Sequence, residues 1–303
     1  MNAIKNFSQY RAQILLKSLK EFVAARSAII KVGIELEFYL LYPDFSPVTD
    51  AQLTDDFASA LFNSSNAIKS SLIYKIEREQ GVGQLEIKLL PHHNLPLLCQ
   101  QIEEIKIIAS NLAKSMNLIA SFAAQVFDDD CGSAMQFNIS WHDSSNKNLF
   151  DNDEKLLIDV IGSLLETINE SLILMAPEQQ DFLRFDNEFN KNLYKKGRYT
   201  APTNISFGFN NRSAAIRIPA IGNRRIEYRL AAANADTYLS LAAILIELTD
   251  QKNSLEIEKY QIYGNAFDAQ YNLPSFIKNY DEALLYFNSS DNLIRKKFLQ
   301  FIS

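Results

Sequence analysis

Cysteine is nearly absent: Cys99 and Cys131 are the only two thiols in 303 residues. That count gives no disulfide framework and fits a reducing compartment. The three histidines, His92, His93 and His142, form no His-Glu-x-x-His pair, and there is no Cys-x-x-Cys. Zinc therefore lacks its usual ligand spacing. The phosphate-loop lysine motif is missing, and so is the Gly-x-Ser-x-Gly elbow of a serine nucleophile. Positive charge is not in excess. A formal net charge of −6 argues against a non-specific nucleic-acid binder. No apolar run reaches transmembrane length; the most apolar, Leu239–Leu248, reads as a buried helix. The opening stretch MNAIKNFSQYRAQ has no long apolar segment, so no signal peptide is expected. Together these absences predict a cytoplasmic protein without membrane or nucleic-acid partners.

What is present suits a folded core, since 47% of the residues are hydrophobic. Apolar spacing predicts an amphipathic helix near residues 8–30, with Leu15, Leu16, Leu19, Phe22 and Val23 on one side. Val32, Ile34, Leu36 and Phe38 then alternate with Gly33, Glu35, Glu37 and Tyr39, as on a strand. A short helix is expected around Asp55–Leu61. Ser71–Leu90 reads as two strands about a turn at Gly81–Gly83. A long helix is expected over Leu95–Ala124, with a strand within Ser121–Val126 and an acidic turn at Asp128–Asp130. Gly132–Trp141 alternates again, and Leu156–Leu174 is helical. Asp181–Tyr199 shows little periodicity. A strand at Asn204–Phe209, a helix at Ala235–Asp250 and a helical tail over 251–303 complete the chain. There is no internal repeat. Strands and long helices without regular alternation predict an antiparallel-rich α+β fold.

Charge gathers in Asn210–Arg229, NNRSAAIRIPAIGNRRIEYR. Read as strands, Arg212, Ala214, Ile216 and Ile218 point one way, and Arg217 the other. Arg225, Glu227 and Arg229 share a face opposite Ile226, Tyr228 and Leu230. Such a row is either a cross-strand ion-pair array or a cradle for a multi-anionic ligand. Glu35 and Glu37 share a strand face, and Glu79 and Glu86 bracket the glycine hairpin. Each pair reads as solvated carboxylates or as oxygen ligands for a hard divalent cation. The histidines read as surface or turn residues.

The order of these motifs resembles the glutamine synthetase family, the ATP-dependent ligases that join ammonia or an amine to a carboxylate. The segments are GIELEF (Gly33–Phe38), EQGVGQLE (Glu79–Glu86), GSAMQFNIS (Gly132–Ser140), YTAP (Tyr199–Pro202), NRSAAIRIP (Asn211–Pro219) and RIEYR (Arg225–Arg229). They span about residues 31–250. The resemblance implies a single catalytic domain over 1–303 with a curved, largely antiparallel sheet and helices on its outer side. It implies a funnel-shaped site for ATP and Mg²⁺ or Mn²⁺, and an acyl-phosphate intermediate that an amine attacks. By motif position, Glu37, Glu79 and Glu86 would hold a first cation. Glu35 and Glu227, with Gln136, would hold a second. Arg212, Arg217 and Arg225 would contact phosphates, with Ser140 near the nucleotide. Arg229 would bind the acceptor acid, expected to be glutamate or a related small acid, and the transferring phosphoryl group. Glu79 would also position the incoming ammonium.

The sequence departs from the family pattern at the end where the bond would form. Gln136 and Asn138 stand where the family has histidines, and amide oxygens are weaker metal ligands than imidazole. Thr200 stands where an acid shields the acyl phosphate, and Lys196 takes the place of an arginine that steadies the transition state. Ala231–Ala232 replaces a Pro–Asp pair. Only about thirty residues precede the first motif, so the family's N-terminal β-grasp domain is not expected. That domain makes part of the ring contact, so homo-oligomerisation is expected only in general terms. Two functions fit: a divergent ligase acting on a small carboxylic acid and an amine or ammonia, or a catalytically impaired homologue that binds nucleotide or regulates a partner.

Overall fold

A computed structural model describes residues 3–66, 71–198, 201–250 and 255–303. Eight strands form one sheet: β1 (Ile29–Leu41), β2 (Ile73–Arg78), β3 (Gln84–Leu89), β4 (Ile119–Ser121), β5 (Met135–His142), β6 (Phe207–Phe209), β7 (Ile216–Ile218) and β8 (Ile226–Tyr228). The order across it is β2-β3-β1-β5-β8-β7-β6, with β4 beside the far end of β1. Every strand pairing is antiparallel except β6 with β7. The helices are α1 (Ala3–Ser8), α2 (Arg11–Arg26), α3 (Ala51–Asn66), α4 (Leu95–Ser115), α5 (Glu154–Met175), α6 (Asn187–Lys195), α7 (Thr237–Thr249), α8 (Tyr280–Phe287) and α9 (Leu293–Ile302). This is the α+β class expected of strands and helices that do not alternate regularly.

β1 organises the sheet. Val32, Ile34, Leu36 and Phe38 are fully buried in the main apolar core with residues of α2, α4, α5 and α7. The opposite row of β1 carries Gly33, Glu35 and Glu37. Successive side chains of a strand alternate, so one face builds the core while the other is left for polar groups. β5 repeats the division: Met135, Phe137, Ile139 and Trp141 enter the core, opposite Gln136, Asn138 and Ser140. Behind the core face, α7 is buried along almost its whole length and packs against α2 and α5. No helix among the described residues is long and apolar enough to cross a membrane.

Several elements differ from the sequence reading. The first helix breaks before Arg11 and stops at Arg26, where Ser27 takes a left-handed cap with φ 49°. Ile14, Leu15, Ser18 and Phe22 face inward, while Leu16 and Val23 are exposed. The inner face is thus rotated from the one expected. α4 also stops early, because Asn117 turns left-handed with φ 55°, and Ile119 joins β4. Single-residue stops of this kind leave no mark on apolar periodicity. α3 is longer than expected, and α6 was not visible. α6 is short and polar, and its start is fixed by Asp186, whose carboxylate accepts from the Phe189 N–H at 2.7 Å. Among the described tail residues Ile257–Tyr260 form a short 3₁₀ helix, 274–279 are not helical, and the α-helices are α8 and α9.

One core residue breaks the apolar rule. Glu247 on α7 is 1% exposed, and the nearby Ser171 hydroxyl is the one group that opposes the cost of its burial. Burial pushes its carboxyl up to about 8. The folded protein therefore holds a proton that the unfolded chain releases near the ordinary carboxylate value. Stability then falls as pH rises through that window, by roughly 1.4 kcal/mol per pH unit. Glu247→Met should melt higher than the parent at pH 8, with the difference shrinking steadily towards pH 5. Thermal unfolding of both proteins across that range checks it; a constant difference would contradict it.

Candidate active site

The polar face of the sheet is assembled by register. Glu37 of β1 lies directly opposite Glu86 of β3, and Glu35 lies opposite Gln136 of β5. Asn138 of β5 lies opposite Glu227 of β8, which in turn faces Arg217 of β7. Four adjacent strands plus β3 thus bring the acidic and basic motifs, far apart in sequence, onto one surface.

Glu37, Glu79 and Glu86 converge. An oxygen from each lies within 4.8 Å of the others, the one such carboxylate, histidine or cysteine group among the described residues. The hairpin makes this possible. The Glu79 N–H donates to the Gln84 carbonyl at 2.9 Å, which closes the turn. Gly83 sits at φ 77°, and a Cβ there would meet the Leu40 and Val48 carbonyls at 2.9 Å. The turn thus needs glycine at this position. From outside the hairpin, Asp130 accepts from the Val82 N–H at 2.9 Å and from Arg198 at 2.9 Å.

The trio is electrostatically costly on its own. Burial, then Glu79, push the Glu37 carboxyl up to about 7, against the Ala134 N–H, Arg184 and Arg229. Burial, then Glu35 and Glu37, drive Glu86 well above the ordinary carboxylate range, although Lys88 pairs with it at 2.9 Å. Close, partly buried carboxylates of this kind are what a hard divalent cation requires of its ligands. The donor set therefore fits one Mg²⁺ or Mn²⁺.

Next to the trio the chemistry changes. Gln136 Nε2 donates to Glu37 Oε1 at 2.9 Å, and its carbonyl accepts from Arg229 Nη1 at 3.0 Å. The same Nη1 donates to Glu227 Oε1. Glu227 Oε2 accepts from Arg217 Nη1 at 2.7 Å. Burial alone would raise the Glu227 carboxyl; Arg229 and Arg217 more than offset it and hold it below the ordinary range. Asn138 acts likewise one row away, donating to Glu35 at 3.1 Å and accepting from Arg225 Nε at 2.8 Å. Glu35 and Glu227 thus lie on the same face as the trio but are engaged by amides and guanidinium groups. The carbonyl of each amide must face its arginine, because the reverse orientation would set donor against donor.

Arg229 also lines a cavity of about 50 Å³, with Glu37, Glu79, Gln136, Arg184 and Arg212. That space admits an ion, water or a carboxylate group, and no nucleotide. Arg212 lies in a turn, not on a strand. This frees it from the expected alternation and lets it share the cavity with Arg229.

Two of the expected residues stand elsewhere. Lys196 follows α6 and points away, its Nζ donating to the Asp129 carbonyl at 3.0 Å. Ser140 lies further along β5 and bonds to His142 at 3.0 Å. Thr200, with Tyr199, lies outside the described residues. The surface reading of His142 is corrected: it is buried at the end of β5, on the polar face beside Ser140.

Arg184 escaped the sequence reading. It is 2% exposed, lies in the aperiodic segment before α6, and lines the cavity. Burial lowers it to about 10, while Glu37 and Asp181 oppose the shift. Gly132 gives it room, since a Cβ there would come within 2.8 Å of Arg184 Cγ. The Nε atoms of Arg184 and Arg229 are both buried without hydrogen-bond partners. Unmet donors on buried cations suit an anionic ligand.

The catalytic-domain model of the glutamine synthetase family matches residues 42–301. The chain belongs to that family. The match runs through the C-terminal helices, further than the motifs alone reach. Among characterised relatives, the chain is 29% identical over 310 residues to γ-glutamylputrescine synthetase PuuA of Escherichia coli K12, covering 93% of this chain and 63% of that protein. It is 25% identical over 260 residues to glutamate–methylamine ligase of Methyloversatilis universalis, covering 78% of this chain and 57% of the relative. It thus spans under two thirds of either relative's length. Two solved structures share the fold. Ligand-free GmaS has a TM-score of 0.73 at 21% identity, covering 94% of this chain and 70% of that one. The GmaS/ADP complex has a TM-score of 0.75 at 20% identity, covering 95% and 72%. Both relatives carry the name of a ligase or synthetase, and nothing among them favours the impaired reading.

Proposed function

We propose that the protein is an ATP-dependent ligase that joins an amine to the carboxylate of glutamate or a related small acid through an acyl phosphate. The observation that carries this reading is one cavity lined by both acids and guanidinium groups. Glu37 and Glu79 of the acidic trio line it together with Arg184 and Arg229, each of which keeps a buried Nε without a hydrogen-bond partner. A divalent cation on Glu37, Glu79 and Glu86 would neutralise phosphate oxygens as charge shifts in the transition state. Arg229, fixed by Gln136 and Glu227, holds the acceptor carboxylate with its remaining donors. Arg184 adds a second guanidinium at the same place. Arg212, Arg217 and Arg225 serve the phosphate chain of ATP, with Ser140 on the nucleotide side. Lys196 reaches the reacting groups only by leaving Asp129.

The amine is the finer part of the reading. The names of the two relatives above pair glutamate or a γ-glutamyl group with putrescine or methylamine, and on these an alkylamine is favoured over ammonia. Residues 1–303 are taken as one catalytic unit. The test is ADP release with ATP, Mn²⁺, glutamate and a panel of amines. Turnover with at least one alkylamine above that with ammonia is expected. Release no faster than from a Glu37→Gln control would overturn the ligase reading.

A further inference from the structure

The second cation that the motifs lead one to expect does not fit the groups present. Its expected ligands are Glu35, Gln136 and Glu227. Every side chain of that set is already engaged. Glu227 is 1% exposed and has one oxygen on Arg217 and the other on Arg229. Gln136 offers its one metal-ligating atom, the carbonyl, to Arg229. Glu35 accepts from Asn138, whose own carbonyl faces Arg225. Glu227 meets two guanidinium groups directly, and Glu35 meets a third only through the Asn138 amide. A divalent cation would have to compete with Arg217 and Arg229 for Glu227 and displace a buried ion pair. To reach it, the Gln136 carbonyl would have to turn from Arg229, and its NH₂ would then meet a guanidinium that can only donate.

We propose that this protein holds one divalent cation, on Glu37, Glu79 and Glu86, and that the Arg229 guanidinium bound to Gln136 and Glu227 supplies the positive charge at the second position. Two neighbouring positions thus bear exchangeable and fixed charge, respectively. The two amides have a defined task in this arrangement. Each joins a carboxylate to an arginine, a bridge for which one group must donate and accept at once. A carboxylate could only accept, whereas an amide donates from its NH₂ and accepts at its carbonyl. The first position rests on the ligase reading above. The assignment of the second does not, because it is read from metal binding without turnover.

The experiment counts Mn²⁺ on the full chain with no nucleotide present, by titration calorimetry and by the electron paramagnetic resonance signal of free Mn²⁺. One equivalent is expected. Two equivalents, or none, would overturn the proposal. Glu37→Gln should remove that equivalent; retention would overturn the placement. Glu227→Gln should leave the count at one, with affinity within about threefold of the parent. A tenfold loss of affinity would make Glu227 a ligand and overturn the proposal. Circular dichroism establishes that each variant is folded. If Glu227→Gln does not fold, the count on the parent and its loss in Glu37→Gln carry the test, and a second equivalent on the parent overturns the proposal. Loss of ligase activity with one bound Mn²⁺ would leave this inference standing and sink only the proposed reaction.

Discussion

Glu86→Gln is expected to raise the melting temperature of the metal-free protein while lowering ligase turnover by on the order of 10³-fold or more. The two effects share one cause. Glu86 is 4% exposed, lies opposite Glu37 in register, and is repelled by Glu35, Glu37 and Glu79. Glutamine keeps the shape and still offers Lys88 a carbonyl oxygen, but carries no like charge. Metal-free stability near neutral pH should therefore rise. The repulsion that glutamine relieves is what attracts the cation, and several kcal/mol of transition-state stabilisation depend on that cation. Added Mn²⁺ should raise the melting temperature of the parent and leave the variant nearly unmoved, reversing their order. Melting curves with and without Mn²⁺, beside an ADP-release assay, test both halves. A variant that melts below the metal-free parent would refute the electrostatic account.

Arg229→Met and Arg229→Lys should separate structure from chemistry. Methionine leaves Glu227 with Arg217 alone and the Gln136 carbonyl with no donor. Removing one partner of a buried pair costs roughly 3–5 kcal/mol, so the denaturation midpoint should fall sharply. Lysine can still place one ammonium between Gln136 and Glu227, and most of that stability should return. Turnover should remain low in both, because an ammonium lacks the second edge of donors that a guanidinium turns towards an acceptor carboxylate. Recovery of turnover with lysine would show that Arg229 acts as a point charge only.

Much of this arrangement was legible in the chain. Val32 to Phe38 alternate so regularly that the core row and the acidic row of β1 follow directly. The Gly81–Gly83 turn likewise announces a hairpin that returns Glu86 towards Glu79. The fold class follows from the absence of strand–helix alternation. Other features depend on partners that no local pattern encodes. Arg184 sits in a segment without periodicity and becomes a cavity residue only because Gly132, some fifty positions earlier, leaves room for it. The outward course of Lys196 depends on Asp129. The amide bridges require Gln136 and Asn138 to be matched with arginines about ninety residues further on. The helix stops at Ser27 and Asn117 are single left-handed residues, which apolar spacing does not register.

The thirteen residues of β1 carry the core on one row and the acids on the other, with no residue between them to spare. Inserting or deleting one residue within it would drive Glu35 or Glu37 into the apolar layer and bring leucines to the cavity. Such a change would destroy fold and site together. Replacing side chains in place carries no such penalty. Gln136 and Asn138, read from the sequence as standing where the family has histidines, keep the register of β5 against β1. Change in this site is therefore open to the identity of its residues and closed to their number.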